Sequence, residues 1–93
     1  MQFLLVAVDD TEPEVPVRRA MALADHALLI GQLKGSGNFT MGGHTLDDKE
    51  KIIGSAMILD FPSREGVDAY LKREPYAARG VWKTITVTRI NLG

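Results

Sequence analysis

This chain of 93 residues contains no cysteine. Disulfides, thiolate metal centres and cysteine nucleophiles are therefore excluded. Histidine is scarce, with two residues, and the aromatics amount to one Trp, two Tyr and three Phe. There is no excess of either charge: 11 Lys and Arg are interleaved with 12 Asp and Glu for a net charge of −1. That leaves no electrostatic footprint for nucleic acid or an anionic membrane surface. No apolar run approaches the about 20 residues of a membrane span. The apolar start from Met1 to Val8 stops at Asp9-Asp10 without a basic leader or cleavage site, so it reads as a strand rather than a signal peptide. Gly35-Ser36-Gly37 has no following lysine and precedes a strand, which does not suit a phosphate loop. Ser36, Ser55 and Ser63 lack elbow or triad context. What is present, 45% hydrophobic and 25% charged residues, fits one globular domain. A cytoplasmic protein that works without a cofactor is the expectation.

Phe3 to Val8 is a short continuous apolar run, the pattern of a strand covered on both faces. Thr11 to Pro16 reads as a loop, with Pro16 suited to the first turn of a helix from Val17 to about Lys34. That helix carries two apolar stripes. One is Val17, Ala20, Met21, Ala24, Ala27, Leu28 and Gly31; the other is Ala22, Leu23, His26, Leu29, Ile30 and Leu33. A helix apolar nearly all round is expected to be buried on more than one side. After Gly35-Ser36-Gly37, a short strand Asn38 to Met41 closes at Gly42-Gly43, and His44 to Lys51 reads as a solvated hairpin turn. Ile52 to Phe61 is a second continuous apolar strand with a possible bulge at Gly54-Ser55. Ser63 is placed to cap a helix running to about Arg73, with Glu65 in its first turn. A short turn from Tyr76 to Gly80 leads to a last, partly exposed strand, Val81 to Ile90.

The order strand, helix, strand, strand, helix, strand predicts an α+β, ferredoxin-like βαββαβ fold, a four-stranded antiparallel sheet with its helices on one face. The first and third strands are apolar at odd and even positions alike, so the face without helices also calls for cover. A two-fold dimer packing sheet on sheet meets that need; the alternative is a monomer with an open, ligand-binding sheet face.

Two positions stand out chemically. His26 occupies a place in an apolar stripe where packing alone would prefer leucine. It is either a neutral core histidine or a general base, and a base requires a carboxylate to orient the ring. Glu74 precedes Pro75, which pushes it out of the helical region at the end of the second helix. A carboxylate there opposes the macrodipole, which argues for another purpose. Asp9 closes the first strand and could share a cleft with Glu74. Arg19, seven residues before His26, could bind an anionic ligand or lie solvated on the surface. Tyr76 and Trp82 could line a pocket or belong to the core.

Taken in order, these residues resemble the YciI-like (YCII-related) domain proteins. The likeness covers the strand closing on Asp9, then Arg18-Arg19, His26 and Gly37 eleven residues later. It continues through Gly43, Gly54-Ser55, Glu74-Pro75-Tyr76 and Gly80-Val81-Trp82. The resemblance implies a ferredoxin-like domain that forms a dimeric α/β barrel, with a site built on a histidine and an aspartate. It maps those roles onto His26 and Asp9, and an Asp-Pro-Tyr element onto Glu74-Pro75-Tyr76. The chain departs from that pattern at Glu74, where an aspartate is expected, at Leu23 in place of an arginine, and at His44 in place of a proline. Because Glu74 is the longer acid, Asp9 is the better expected partner for His26.

The leading expectation is a small enzyme of lyase or isomerase type. His26 is the general base, Asp9 or Glu74 orients it, and Arg19, Tyr76 and His44 bind a small oxygenated substrate between sheet and helix near the dimer interface. The rival is a non-catalytic dimer that binds a small ligand or another protein, with His26 held in a structural hydrogen bond. A metal site using His26, His44 and a carboxylate is a third reading.

Overall fold

In the computed structural model, which describes residues 1–93, the elements are β1 (Gln2–Asp9), α1 (Val15–Gly35), β2 (Phe39–Leu46) and β3 (Ile52–Asp60), followed by α2 (Arg64–Arg73), α3 (Pro75–Ala78) and β4 (Trp82–Ile90). The strands form one antiparallel sheet in the order β2-β3-β1-β4. This is the ferredoxin-like arrangement expected from the element order.

The helices cover one face of this sheet. In the β1–β3 register Phe3 lies opposite Leu59, Leu5 opposite Met57 and Ala7 opposite Ser55, and all six are buried. Ala22, Leu29 and Leu33 of α1, Val67 and Tyr70 of α2, and Tyr76 of α3 complete the core with Val81 and Trp82. The alternate residues Leu4, Val6, Ala56 and Ile58 belong to the face that no helix covers, and within the chain they are only half buried. The continuous apolar runs thus correspond to one covered face and one bare one.

Three expectations need correction. The first concerns α1, which starts at Val15, with Pro16 in its first turn. It buries one stripe only, Val15, Ala22, Leu29 and Leu33, with Arg19 and His26 filling the two intervening positions half-buried. The stripe that begins at Val17 faces outward, with Val17, Met21 and Leu28 61%, 77% and 65% exposed. Its Ala-rich composition reflects helix propensity rather than burial.

The second correction is that β2 does not stop at Gly42-Gly43. It continues to Leu46, so His44 lies on a strand opposite Ser55 instead of in a turn. Gly42 is a strand residue because β2 passes close over β3: a Cβ there would lie 2.7 Å from that of Met57. Only Asp47 to Lys51 turns, with the Asp47 carboxylate accepting from the Lys49 and Lys51 amides at 2.8 and 2.9 Å.

Third, the bulge expected at Gly54-Ser55 lies one residue earlier. Thr45 pairs with Gly54 and Leu46 with Ile52, leaving Ile53 unmatched. Gly54 serves another purpose, because a side chain there would collide with the Ala7 carbonyl oxygen of β1.

Candidate functional site

Pro75 holds Glu74 extended, at φ −69° and ψ 117°, so that one residue ends α2 and caps α3. This turns the Glu74 side chain inward, where it is completely buried. Three donors meet its carboxylate. The Tyr76 amide donates to Oε1 at 3.1 Å, the Tyr70 hydroxyl, one helical turn back, donates to Oε2, and His26 Nδ1–H donates to Oε1 at 2.6 Å. A buried carboxylate requires such compensation, because desolvating it without partners is prohibitive.

Asp9 builds a second centre. It stands at the end of β1, where the register against β4 shifts between Val8 and Asp9. Its carboxylate takes Arg19 in a fork, Nε to Oδ2 at 3.1 Å and a terminal nitrogen to Oδ1 at 2.8 Å. The other terminal nitrogen of Arg19 donates to His44 Nδ1 at 3.2 Å.

Tyr76 joins the two centres. Its ring stacks on that of His26, with centroids 4.0 Å apart and planes 15° from parallel. The Arg19 guanidinium lies 4.6 Å from the same ring, and Trp82 meets it edge-on at 5.8 Å. The Tyr76 hydroxyl and Trp82 Nε1 are buried with no hydrogen-bond partner.

Burial and the neighbouring charges set the protonation of three groups. His44 is pushed below its ordinary value, first by burial, then by the Arg19 and His26 charges, against an opposing contribution from Asp9. Burial, reinforced by Glu74, drives the Tyr70 hydroxyl well above its ordinary range. Burial also raises Tyr76, against the lowering effect of Arg19.

A pocket of about 950 Å³ opens beside this cluster. Its lining includes Asp9, Arg19, His44 and Tyr76 among the polar and aromatic residues and Val8, Leu23, Ile52 and Ile53 among the apolar ones. His26 adjoins the pocket behind Tyr76 rather than forming its wall, and its side chain is 15% exposed. Its Nε2 has no protein partner and is not sealed off from solvent.

The six residues expected to form the site, His26, Asp9, Glu74, Arg19, Tyr76 and His44, all lie in this region. The carboxylate that partners His26 is Glu74, whereas Asp9, the expected partner, is engaged with Arg19. Arg19 is not a solvated surface residue: its side chain is about a tenth exposed and locked in its ion pair. Sequence reasoning missed Tyr70. Its signal was a tyrosine four residues before a helix-ending glutamate, the spacing that brings two side chains together on one helix face. No group of three or more His, Asp or Glu side chains is placed to hold a metal ion, so the third reading finds no support in the geometry.

The family model of the YCII-related domain matches residues 1–91. No curated protein matches the chain. Among solved structures it is similar to 5-chloro-2-hydroxyhydroquinone dehydrochlorinase from Burkholderia phenoliruptrix in complex with 2,5-dihydroxybenzoquinone. The two share 26% identity and a TM-score of 0.85, over 100% of this chain and 96% of that one.

Proposed function

The chain belongs to the YCII-related domain family, and from that premise we propose that it is a small lyase- or isomerase-type enzyme in which His26 and Glu74 act as an acid/base pair. The observation that carries this reading is the 2.6 Å bond from His26 Nδ1–H to a carboxylate held by two further donors. That bond fixes the tautomer and leaves the Nε2 lone pair available as a base. Nε2 takes a proton either from a carbon of the substrate, whose electron pair moves onto a conjugated neighbouring oxygen, or from a hydroxyl, whose oxygen keeps the pair. The charge then either expels a leaving group, which is elimination, or is quenched when the proton returns at another carbon, which is isomerisation. Arg19, pinned by Asp9, supplies positive charge beside Tyr76 in the pocket.

A dehydrochlorinase removes HCl, a lyase-type step, and the similarity to one favours small oxygenated rings as substrates. The bare apolar face carrying Leu4, Val6 and Ile58 supports a homodimer packed sheet on sheet. Val6→Asp is expected to convert that dimer into a monomer in analytical ultracentrifugation; a variant that remains dimeric places the interface elsewhere.

Turnover of a panel of chlorinated and unchlorinated hydroxyhydroquinones tests the chemistry. His26→Ala should lower kcat by about 100-fold or more. If activity survives that substitution, His26 is not the base. One observation favours the rival reading of a ligand-binding dimer, namely that His26 stands behind Tyr76 rather than in the pocket wall. Under that reading His26→Ala lowers stability and leaves ligand affinity unchanged.

A further inference from the structure

His44 is the imidazole that proton abstraction by His26 leaves unused. We propose that it is a second catalytic residue, a neutral Nε2–H donor to the substrate oxygen on which negative charge develops. The inference rests on the reading of His26 as base.

It begins at Asp9. Because both Asp9 oxygens hold Arg19 in a fork, the guanidinium has little freedom to rotate. Arginine has N–H groups and no acceptor. The 3.2 Å contact from its terminal nitrogen therefore requires His44 Nδ1 to be the acceptor. A neutral imidazole that accepts at Nδ1 carries its proton on Nε2. The chain Asp9–Arg19–His44 thus selects one tautomer, as Glu74 does for His26, but of opposite sense: one ring presents a lone pair and the other an N–H.

Position supports the same role. His44 lies on β2 and contributes to the pocket wall with Arg19 and Tyr76, and its Nε2 has no protein partner. The titratable and charged groups around it are Arg19 and His26 from α1 and Asp9 from β1, while Glu50 and Lys51 border the same pocket from the β2–β3 turn. Partial desolvation, the Arg19 charge and the neighbouring His26 lower its affinity for a proton more than Asp9 raises it, which favours the neutral ring. A neutral donor suits a developing enolate oxygen: it stabilises the charge without repelling His26 once that ring has taken the substrate's proton.

Long-range proton–nitrogen NMR of the intact protein at pH 7 tests the tautomer without any substrate. The expected spectrum shows a neutral His44 with its proton on Nε2, and Arg19→Met erases that preference. A protonated His44, or a proton on Nδ1, overturns the proposal. The probe for the second arm is 2,5-dihydroxybenzoquinone, whose ionised oxygens imitate an enolate. Its addition should shift His44 Nε2, and His44→Ala should weaken its binding about tenfold, with His44→Gln recovering part of the loss through its amide donor. In turnover, His44→Ala should lower kcat about 100-fold while KM changes far less. Quinone binding that leaves His44 silent and survives His44→Ala overturns this assignment alone. Activity that survives His26→Ala removes the reading of the function beneath it.

Discussion

Glu74 and Asp9 each hold one polar side chain of α1, seven residues apart, and they do so in opposite ways. Glu74 is sealed from solvent, takes donors from α1, α2 and its own turn, and has its acceptor capacity satisfied within the protein. Asp9 lies in the pocket wall and takes only the fork from Arg19, whose far nitrogen reaches onward to His44. The dry carboxylate holds an imidazole, and the carboxylate at the pocket holds a guanidinium that reaches a second imidazole; in the proposed function the first is the base and the others face the ligand.

The largest effect expected from breaking this division is at Glu74. Glu74→Ala strands the Tyr70 hydroxyl, the Tyr76 amide and the His26 ring together, and should cost about 3–5 kcal/mol in urea unfolding. Asp9→Asn should cost about 1–2 kcal/mol and instead weaken the binding of 2,5-dihydroxybenzoquinone. If Asp9→Asn were the more destabilising of the two, the contrast would be reversed. Tyr70→Phe comes next. It leaves His26 bonded but removes one support of its carboxylate, at about 1–2 kcal/mol, and should reduce turnover about tenfold with binding unchanged. A loss of binding in that variant would mean that the buried centre also shapes the pocket.

The smallest effect concerns pH. Because the folded chain holds His44 below its ordinary value of 6.5, the unfolded chain takes up that proton first. The stability contribution is complete above about pH 6.5 and declines as the pH falls below it. The urea midpoint of His44→Gln should therefore fall less between pH 8 and pH 5 than that of the parent protein. Parallel pH curves would show that neither desolvation nor the Arg19 charge lowers His44 in the folded chain.

Much of this was legible in the residues. The element order carried the fold, and His26 was conspicuous because a core stripe spaced four and three residues apart had an imidazole in it. Glu74 was conspicuous because proline sets the conformation of its predecessor. The choice of carboxylate was hidden, since it depends on how α3 turns a side chain 48 residues away in sequence toward α1. The extent of β2 was hidden because Gly42-Gly43 reads as a turn, whereas Gly42 is required by close packing on Met57. Tyr70 was hidden because a tyrosine on the inner face of a helix looks like ordinary core until its hydroxyl finds a partner.

The Tyr76 amide and the His26 ring share the same Glu74 carboxylate oxygen. That amide cannot exchange with deuterium unless the α2–α3 turn opens, and the opening that exposes it also loosens the imidazole. The protection of a single backbone proton thus becomes a clock for the imidazole, counting how often the folded molecule lets go of it.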